Sequence, residues 1–184
     1  MTDSGPGRLG APIVPKPHAY DPIANPELFD GVLARRLIAF VIDVLVLAIP
    51  PLLAAIFIFM FGIVTFGLGW GLYFLWWPAT ILWAFFYYGL TLGSPKSATI
   101  GMRLMDLQLR TWYGAPAYFV LGAVHAIVYW ISVSILSPLV LLVGLFNERK
   151  RLLHDILVGT VVINNPVRAD SLRHHGAWGA PKAF

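Results

Sequence analysis

The chain contains no cysteine among its 184 residues. That excludes disulfides, thiolate metal centres, haem attachment through cysteine and a cysteine nucleophile. Charge is scarce as well: 12% of the residues are Asp, Glu, Lys or Arg, about half the share of an ordinary soluble domain. From Leu37 to Gly93 Asp43 is the single formal charge, and from Thr111 to Asn147 there is none, with His125 the one imidazole in that run. Uncharged apolar stretches beyond about 18 residues read as membrane spans, and 58% of the chain is hydrophobic. A soluble fold is excluded and a polytopic integral membrane protein is expected. Also missing are an HExxH pair, a GxSxG elbow, a phosphate-binding glycine loop and an Asp-rich metal motif, so neither enzyme activity nor a cofactor is expected.

The residues that are present give an order to the chain. Residues 1–28 hold six prolines with scattered glycine, a composition that reads as a disordered tail. A first span is expected behind Arg35 and Arg36, from about Leu37 to Phe61, with a break at Pro50 and Pro51. The glycines of 62–71 make a turn, and a second span runs from about Trp70 to Leu90. Trp70, Tyr73, Tyr87 and Tyr88 suit interfacial belts, and Trp76, Trp77 and Trp83 suit packing. The 31 residues from Pro116 to Phe146 are long for one span and short for two. They are read as a hairpin broken near Ser132 to Pro138 that re-enters, or as one strongly tilted span.

Met105, Leu107 and Leu109 alternate with Asp106, Gln108 and Arg110, the period of a half-buried strand. Thr160 to Ile163 is a β-branched run expected to pair with it, and Arg151 to Val158 reads as a short interfacial helix. The expected fold is an all-α membrane protein with two transmembrane helices, a broken or re-entrant third segment and a two-stranded β element on the cytoplasmic side. The membrane domain covers 29–165, and 166–184 reads as a loose polar tail. Basic residues flank the apolar runs while the 62–71 turn has none, which puts the N-terminus in the cytoplasm. The same placement accounts for a pI near 9.6 without nucleic acid; the expected partners are the lipid bilayer and a second copy or another membrane protein.

Three stretches carry a resemblance. Ala34 to Asp43, with Arg36 and Asp43 seven apart and Arg35 a second claimant to the arginine's place, resembles the signature of the RDD family, bacterial membrane proteins named for one arginine and two aspartates. Thr99-Ile100-Gly101-Met102-Arg103 is similar to that family's Thr-x-Gly-Lys-Arg stretch. Arg151 to Asp155 followed by Gly159 to Val162 resembles its closing motif, with Asp155 as the second aspartate. The chain departs at Met102, where the family often has lysine, and at His154, where glycine is frequent. The resemblance implies an inner-membrane protein with a transport role.

Physically, Asp43 is the most informative residue, because a carboxylate within a span costs at least ~2.5 kcal/mol and needs compensation. Arg36 lies on nearly the same helix face but ~10 Å away along the axis, so a partner is expected from Arg151, His154 or Arg103. Pro50 and Pro51 free the carbonyls of Val46 and Leu47, which with Asp43 would form an oxygen-rich site for a cation or proton. The alternatives are a small-cation or solute transporter centred on Asp43, with Arg36, Asp155 and Arg151 supporting, and a non-transporting scaffold or accessory subunit in which the same residues form a structural ion network. His125 is expected to bond Ser132 or Tyr129, and His154 to be solvated. No metal site is expected, since His174 and His175 offer too few ligands.

Overall fold

The computed structural model describes residues 19–136 and 139–174. It is mostly helical: α1 (Val32–Val64), α2 (Tyr73–Leu92), α3 (Ile100–Leu104), α4 (Phe119–Leu136), α5 (Leu139–Phe146), α6 (Leu153–Val158) and α7 (Pro166–His174), with 3-10 turns at Pro26–Leu28 and Leu68–Leu72. β1 (Leu107–Thr111) and β2 (Thr160–Asn164) form one antiparallel pair, Leu107 opposite Asn164 and Thr111 opposite Thr160. The expected strand pair is present; the expected short helix starts at Leu153, not Arg151, and buries His154 and Asp155 in the protein instead of lying in the interface.

α1 and α2 make an antiparallel hairpin sewn by side chains of α2 and the turn before it. Trp76 Nε1 donates to the Pro51 carbonyl, Tyr73 Oη to Ala55 and Trp70 Nε1 to Phe59, so partners fall on one helix as they rise on the other. Trp76 thus packs as expected, whereas Trp77 is 67% exposed. Pro50 and Pro51 lie inside α1, which continues through them for 33 residues. The expected break is corrected: the two lost amide donors belong to a long apolar helix whose other turns hold it, and Pro51's own carbonyl is taken up by Trp76. α1 is the one described helix both long and apolar enough to cross a bilayer. α2 has the length, 20 residues, but its Trp, Tyr, Thr and Pro make it less apolar.

The hairpin wears its hydrophobic residues outward. Leu45, Ile49, Leu52, Leu53 and Ile56 of α1 and Phe74, Leu75, Ile81 and Leu82 of α2 are all more than half exposed, an apolar surface of the kind that hydrocarbon, not water, would solvate. The buried core gathers instead at one end, where Val32, Ala39, Tyr87, Tyr88, Leu92, Leu107, Leu109, Ala126 and Val162 pack together. Tyr87 and Tyr88 therefore belong to this core and not to an exposed belt.

α4 crosses that end. Phe119 packs its ring against Phe85 and Phe86, His125 meets Thr160 of β2, and Tyr129 stacks edge-on with Phe40 of α1. The break expected near Ser132 to Pro138 reaches residues 137 and 138, outside the described residues; on either side stand helices of 18 and 8 residues. α5 comes back to the core end, since a Cβ at Gly144 would sit 2.7 Å from Leu152 and 3.1 Å from Leu33. Gly159, at φ +70°, caps α6 and turns the chain into β2.

The two tails need correction. Residues 1–18 and 175–184 lie outside the described residues, but 19–28 and 166–174 are built into the core end. Glu27 is 3% exposed and pairs with Arg173 of α7 at 2.5 Å. Asn164 at the end of β2 donates to the carbonyls of Glu27 and Asp30. The chain before α1, the loop after α2 and the chain after α5 thus meet at one end of the hairpin.

α3 docks on α1 through Gly101, whose Cβ, if present, would run into the Ala39 carbonyl and lie 3.0 Å from Asp43 Cγ. Both are fixed, so Gly101→Ala is expected to lower stability by about 1–3 kcal/mol in denaturant unfolding of the micelle-solubilised protein. Gly71→Ala, where nothing lies within 4 Å, is the control expected to leave the midpoint unchanged.

Candidate functional site

Two carboxylates are buried at the core end, and the protein treats them differently. Asp43, two turns into α1 from Arg36, is 5% exposed. It accepts from Tyr87 Oη at 2.5 Å, Thr99 Oγ1 at 2.6 Å and the Gly101 amide at 2.8 Å. Thr99 is the N-cap of α3 and accepts from the Met102 amide, while Tyr87 Oη accepts from the Ile100 amide. One carboxylate thereby fixes α1, α2 and α3 to each other with neutral donors. Hydrogen bonds to an ionised acceptor are roughly twice as strong as neutral ones.

Among the described residues no cationic side chain forms an ion pair with Asp43. None of the three expected partners does so. Arg103 Nε donates to the Ala98 carbonyl and its NH2 to Ser94 Oγ, closing the loop between α2 and α3. Arg151 Nε donates to the Thr160 carbonyl and NH2 to the backbone carbonyl of Asp155, with its guanidinium 4.2 Å from the Trp112 ring centre. His154 lies in the second cluster. Val46 and Leu47, whose carbonyls lose their proline partners, pack on the core and do not border the cavity beside Asp43, so the expected oxygen cage does not form there.

Asp155 is fully buried and forms the ion pair of the chain's interior. Arg36 NH1 lies 2.5 Å from its Oδ2, which also accepts from the Leu152 amide at 2.9 Å. At the third position of α6 the carboxylate thus reaches back to cap its own helix. Arg36 also donates to the Lys150 carbonyl at 3.3 Å, and its NH2 lies 3.3 Å from His154 Nε2. Arg36 passes Asp43 by, as the seven-residue spacing predicts. Burial raises the Asp155 pKa, but the adjoining guanidinium outweighs it and holds the carboxyl below the usual range.

The histidines depart most from expectation. His154 is 1% exposed, not solvated. His125 bonds neither Ser132 nor Tyr129: its Nδ1 is 3.2 Å from Thr160 Oγ1, and Ser132 bonds the Tyr129 carbonyl instead. Nε2 of His125 and of His154 lie 3.7 and 3.5 Å from the same atom, Asp155 Oδ1, which has no hydrogen bond of its own. Burial lowers the His154 pKa to about 3, against the opposing pull of Asp155. The one sequence signal for this pair was the lone His125 in an uncharged run; nothing local links it to His154.

A cavity of about 380 Å³ joins the clusters, bounded by Arg36, Asp43, Thr99, His125, Tyr129 and His154 among mostly apolar neighbours. It can hold a small ion with water, or a compact polar solute, next to the Asp43 carboxylate and two imidazoles, with Asp155 behind them. A model of the RDD family matches residues 31–159, a range that takes in both clusters. No curated protein and no solved structure matches the chain.

The buried His154 gives stability a pH dependence of definite sign. Its folded pKa lies below the unfolded value of 6.5, so as pH falls below about 6.5 the unfolded chain takes up a proton that the fold refuses, and stability drops. Asp155, also depressed, adds a second loss below its unfolded value of 3.8. Denaturant midpoints in micelles are expected to fall between about pH 7 and pH 5 in the wild type and to fall less in His154→Gln. An equal slope in both proteins would contradict this account.

Proposed function

The chain belongs to the RDD family, and from that membership together with the uncompensated carboxylate of Asp43 beside a cavity we propose a multi-pass protein of the bacterial inner membrane that moves a small cation. The observation that carries this reading is Asp43: a buried carboxylate at the start of an apolar helix, held by neutral donors, with a cavity wall on its open side. In a low-dielectric site a cation or proton arriving through the cavity supplies the missing charge. Its departure leaves the three donors to hold the carboxylate, so the site has two states without rearranging the helices.

The topology follows the same logic. α1, about 50 Å long at 1.5 Å per residue, and α2 cross as a hairpin. α4 and α5 enter from the core end and return to it. Arg35, Arg36, Lys96, Arg103, Arg110, Arg149, Lys150 and Arg151 belong to that end, and the turn at 65–67 carries no charge. By the positive-inside rule the core end, with residues 19–31 and 166–174, faces the cytoplasm. Three such segments are too few to enclose a path, so transport calls for a homo-oligomer or a membrane-protein partner. No catalytic step is assigned. A scaffold or accessory role is favoured by one observation: all three donors to Asp43 come from the protein's own framework, as a purely structural carboxylate would have.

Flux separates the two readings. Proteoliposomes of the purified protein are expected to show pH-coupled uptake of Na⁺, K⁺ or Li⁺ that Asp43→Asn abolishes. Asparagine keeps one carbonyl oxygen for Tyr87 and Gly101, so the variant is expected to stay folded by circular dichroism. Absence of flux from the wild type would favour the scaffold reading. Topology is tested separately on a cysteine-free background: an impermeant maleimide is expected to label Leu68→Cys on intact cells, and Val167→Cys only after permeabilisation.

A further inference from the structure

The His125, His154 and Asp155 cluster plays no part in the cation reading of Asp43, and its geometry is unlike that of a simple structural network. Nε2 of each histidine points to Asp155 Oδ1, and the three atoms lie within 4.8 Å of one another. Two neutral imidazoles donating to one carboxylate oxygen would satisfy all three atoms. Arg36 rules that out for His154: a guanidinium only donates, and its NH2 faces His154 Nε2 at 3.3 Å, so that nitrogen presents its lone pair. Oδ1 is left fully buried with no hydrogen bond. The lone pair is engaged by Arg36, but Oδ1 faces both imidazoles without a partner, and giving up that one contact would free the nitrogen for a cation held between them.

We propose that His125 Nε2, His154 Nε2 and Asp155 Oδ1 bind a divalent first-row transition metal of the zinc class. Ligand atoms at about 2.0–2.1 Å from a tetrahedral ion stand roughly 3.4 Å apart. The two separations from Oδ1, 3.5 and 3.7 Å, need to close by a few tenths of an ångström, and the two nitrogens, within 4.8 Å of each other, by at most about 1.4 Å, a rotation of the His154 ring away from Arg36. Thr160 Oγ1 on His125 Nδ1 fixes that ring from behind, as outer partners of ligating histidines do. Arg36 keeps its bond to Oδ2 and yields only its contact with His154, so the carboxylate bridges guanidinium and metal. Both histidines border the cavity, which supplies the approach and a water for the fourth position. Two imidazoles and one carboxylate select transition metals over Mg²⁺ or Ca²⁺, which prefer all-oxygen shells.

The test uses full-length protein in micelles, without a polyhistidine tag, stripped with chelator and titrated with Co²⁺ and then Zn²⁺. One Co²⁺ per chain, with the intense visible bands of a four-coordinate ion displaced by Zn²⁺, is expected. His125→Gln and His154→Gln should each weaken binding roughly tenfold or more, since even outer-partner losses cost 10–100-fold. A His174→Gln, His175→Gln double variant should bind as the wild type does. If one ligand variant fails to fold by circular dichroism the other decides, and the wild-type spectrum and stoichiometry decide if both fail. No binding by the wild type, a six-coordinate spectrum, or loss of the signal in the tail variant would overturn the proposal. Ion flux is not part of this readout, so the site stands or falls apart from transport.

Discussion

The ion pair between Arg36 and Asp155 is the constraint around which the core end is arranged. Both side chains are almost completely removed from solvent, and desolvating two charges costs several kcal/mol per ion before their attraction offsets it. Such a pair is tolerable only if the remaining hydrogen-bonding capacity is used. Arg36 accordingly reaches the Lys150 carbonyl and His154, and Asp155 takes the Leu152 amide. Losing one partner would strand the other charge in the interior, a loss of about 3–5 kcal/mol in comparable buried pairs. Because Arg36 opens the apolar stretch of α1 and Asp155 sits on α6, the pair fixes the long apolar helix to the short helix that leads into β2. Arg151 extends the fixation by bonding the backbone at Asp155 and Thr160 and resting on Trp112.

Asp43 performs the complementary task one layer deeper. Its three donors come from α2, from the cap of α3 and from the α3 backbone, so a carboxylate on α1 holds together segments separated by 44 to 58 residues in sequence. Glycine at 101 is what allows the approach, since any side chain there would meet the backbone of α1. The family's Thr-x-Gly stretch thus acquires a physical meaning in this chain: the hydroxyl and the bare backbone amide are two of the three groups that donate to the buried carboxylate.

What could be read from the sequence was whatever depends on local pattern. The long uncharged runs gave α1 and α2 to within a few residues, and strict alternation around Leu107 with the β-branched run at Thr160 gave the strand pair. The seven-residue spacing correctly kept Arg36 from Asp43. Three things were not legible, each for a physical reason. Pro50 and Pro51 have an intrinsic helix-breaking tendency, but the context of a 33-residue apolar helix overrides it. By composition 1–28 looked disordered and 166–184 loose, yet Glu27, Asn164 and Arg173 find partners only once residues 27–30 and 164–173 are brought together. His125 and His154 are 29 residues apart in two separate helices, α4 and α6, so only the crossing of α4 over β2 and α6 unites them.

The two aspartates differ in where their compensating charge comes from, and that difference limits which of them can change state. Asp155 carries a tethered guanidinium that cannot leave, so a mobile proton would have to compete with Arg36 at the shared carboxylate. Asp43 has no such resident charge and keeps its hydrogen bonds whether or not a cation is near. On the proposed reading, an ion exchanging at Asp43 would leave the helix contacts in place, whereas a change at Asp155 Oδ2 would loosen α6 from α1. The remaining oxygen, Oδ1, faces the imidazoles instead of Arg36, and through it alone can the Asp155 cluster take up a further charge without giving up the pair that holds the protein together.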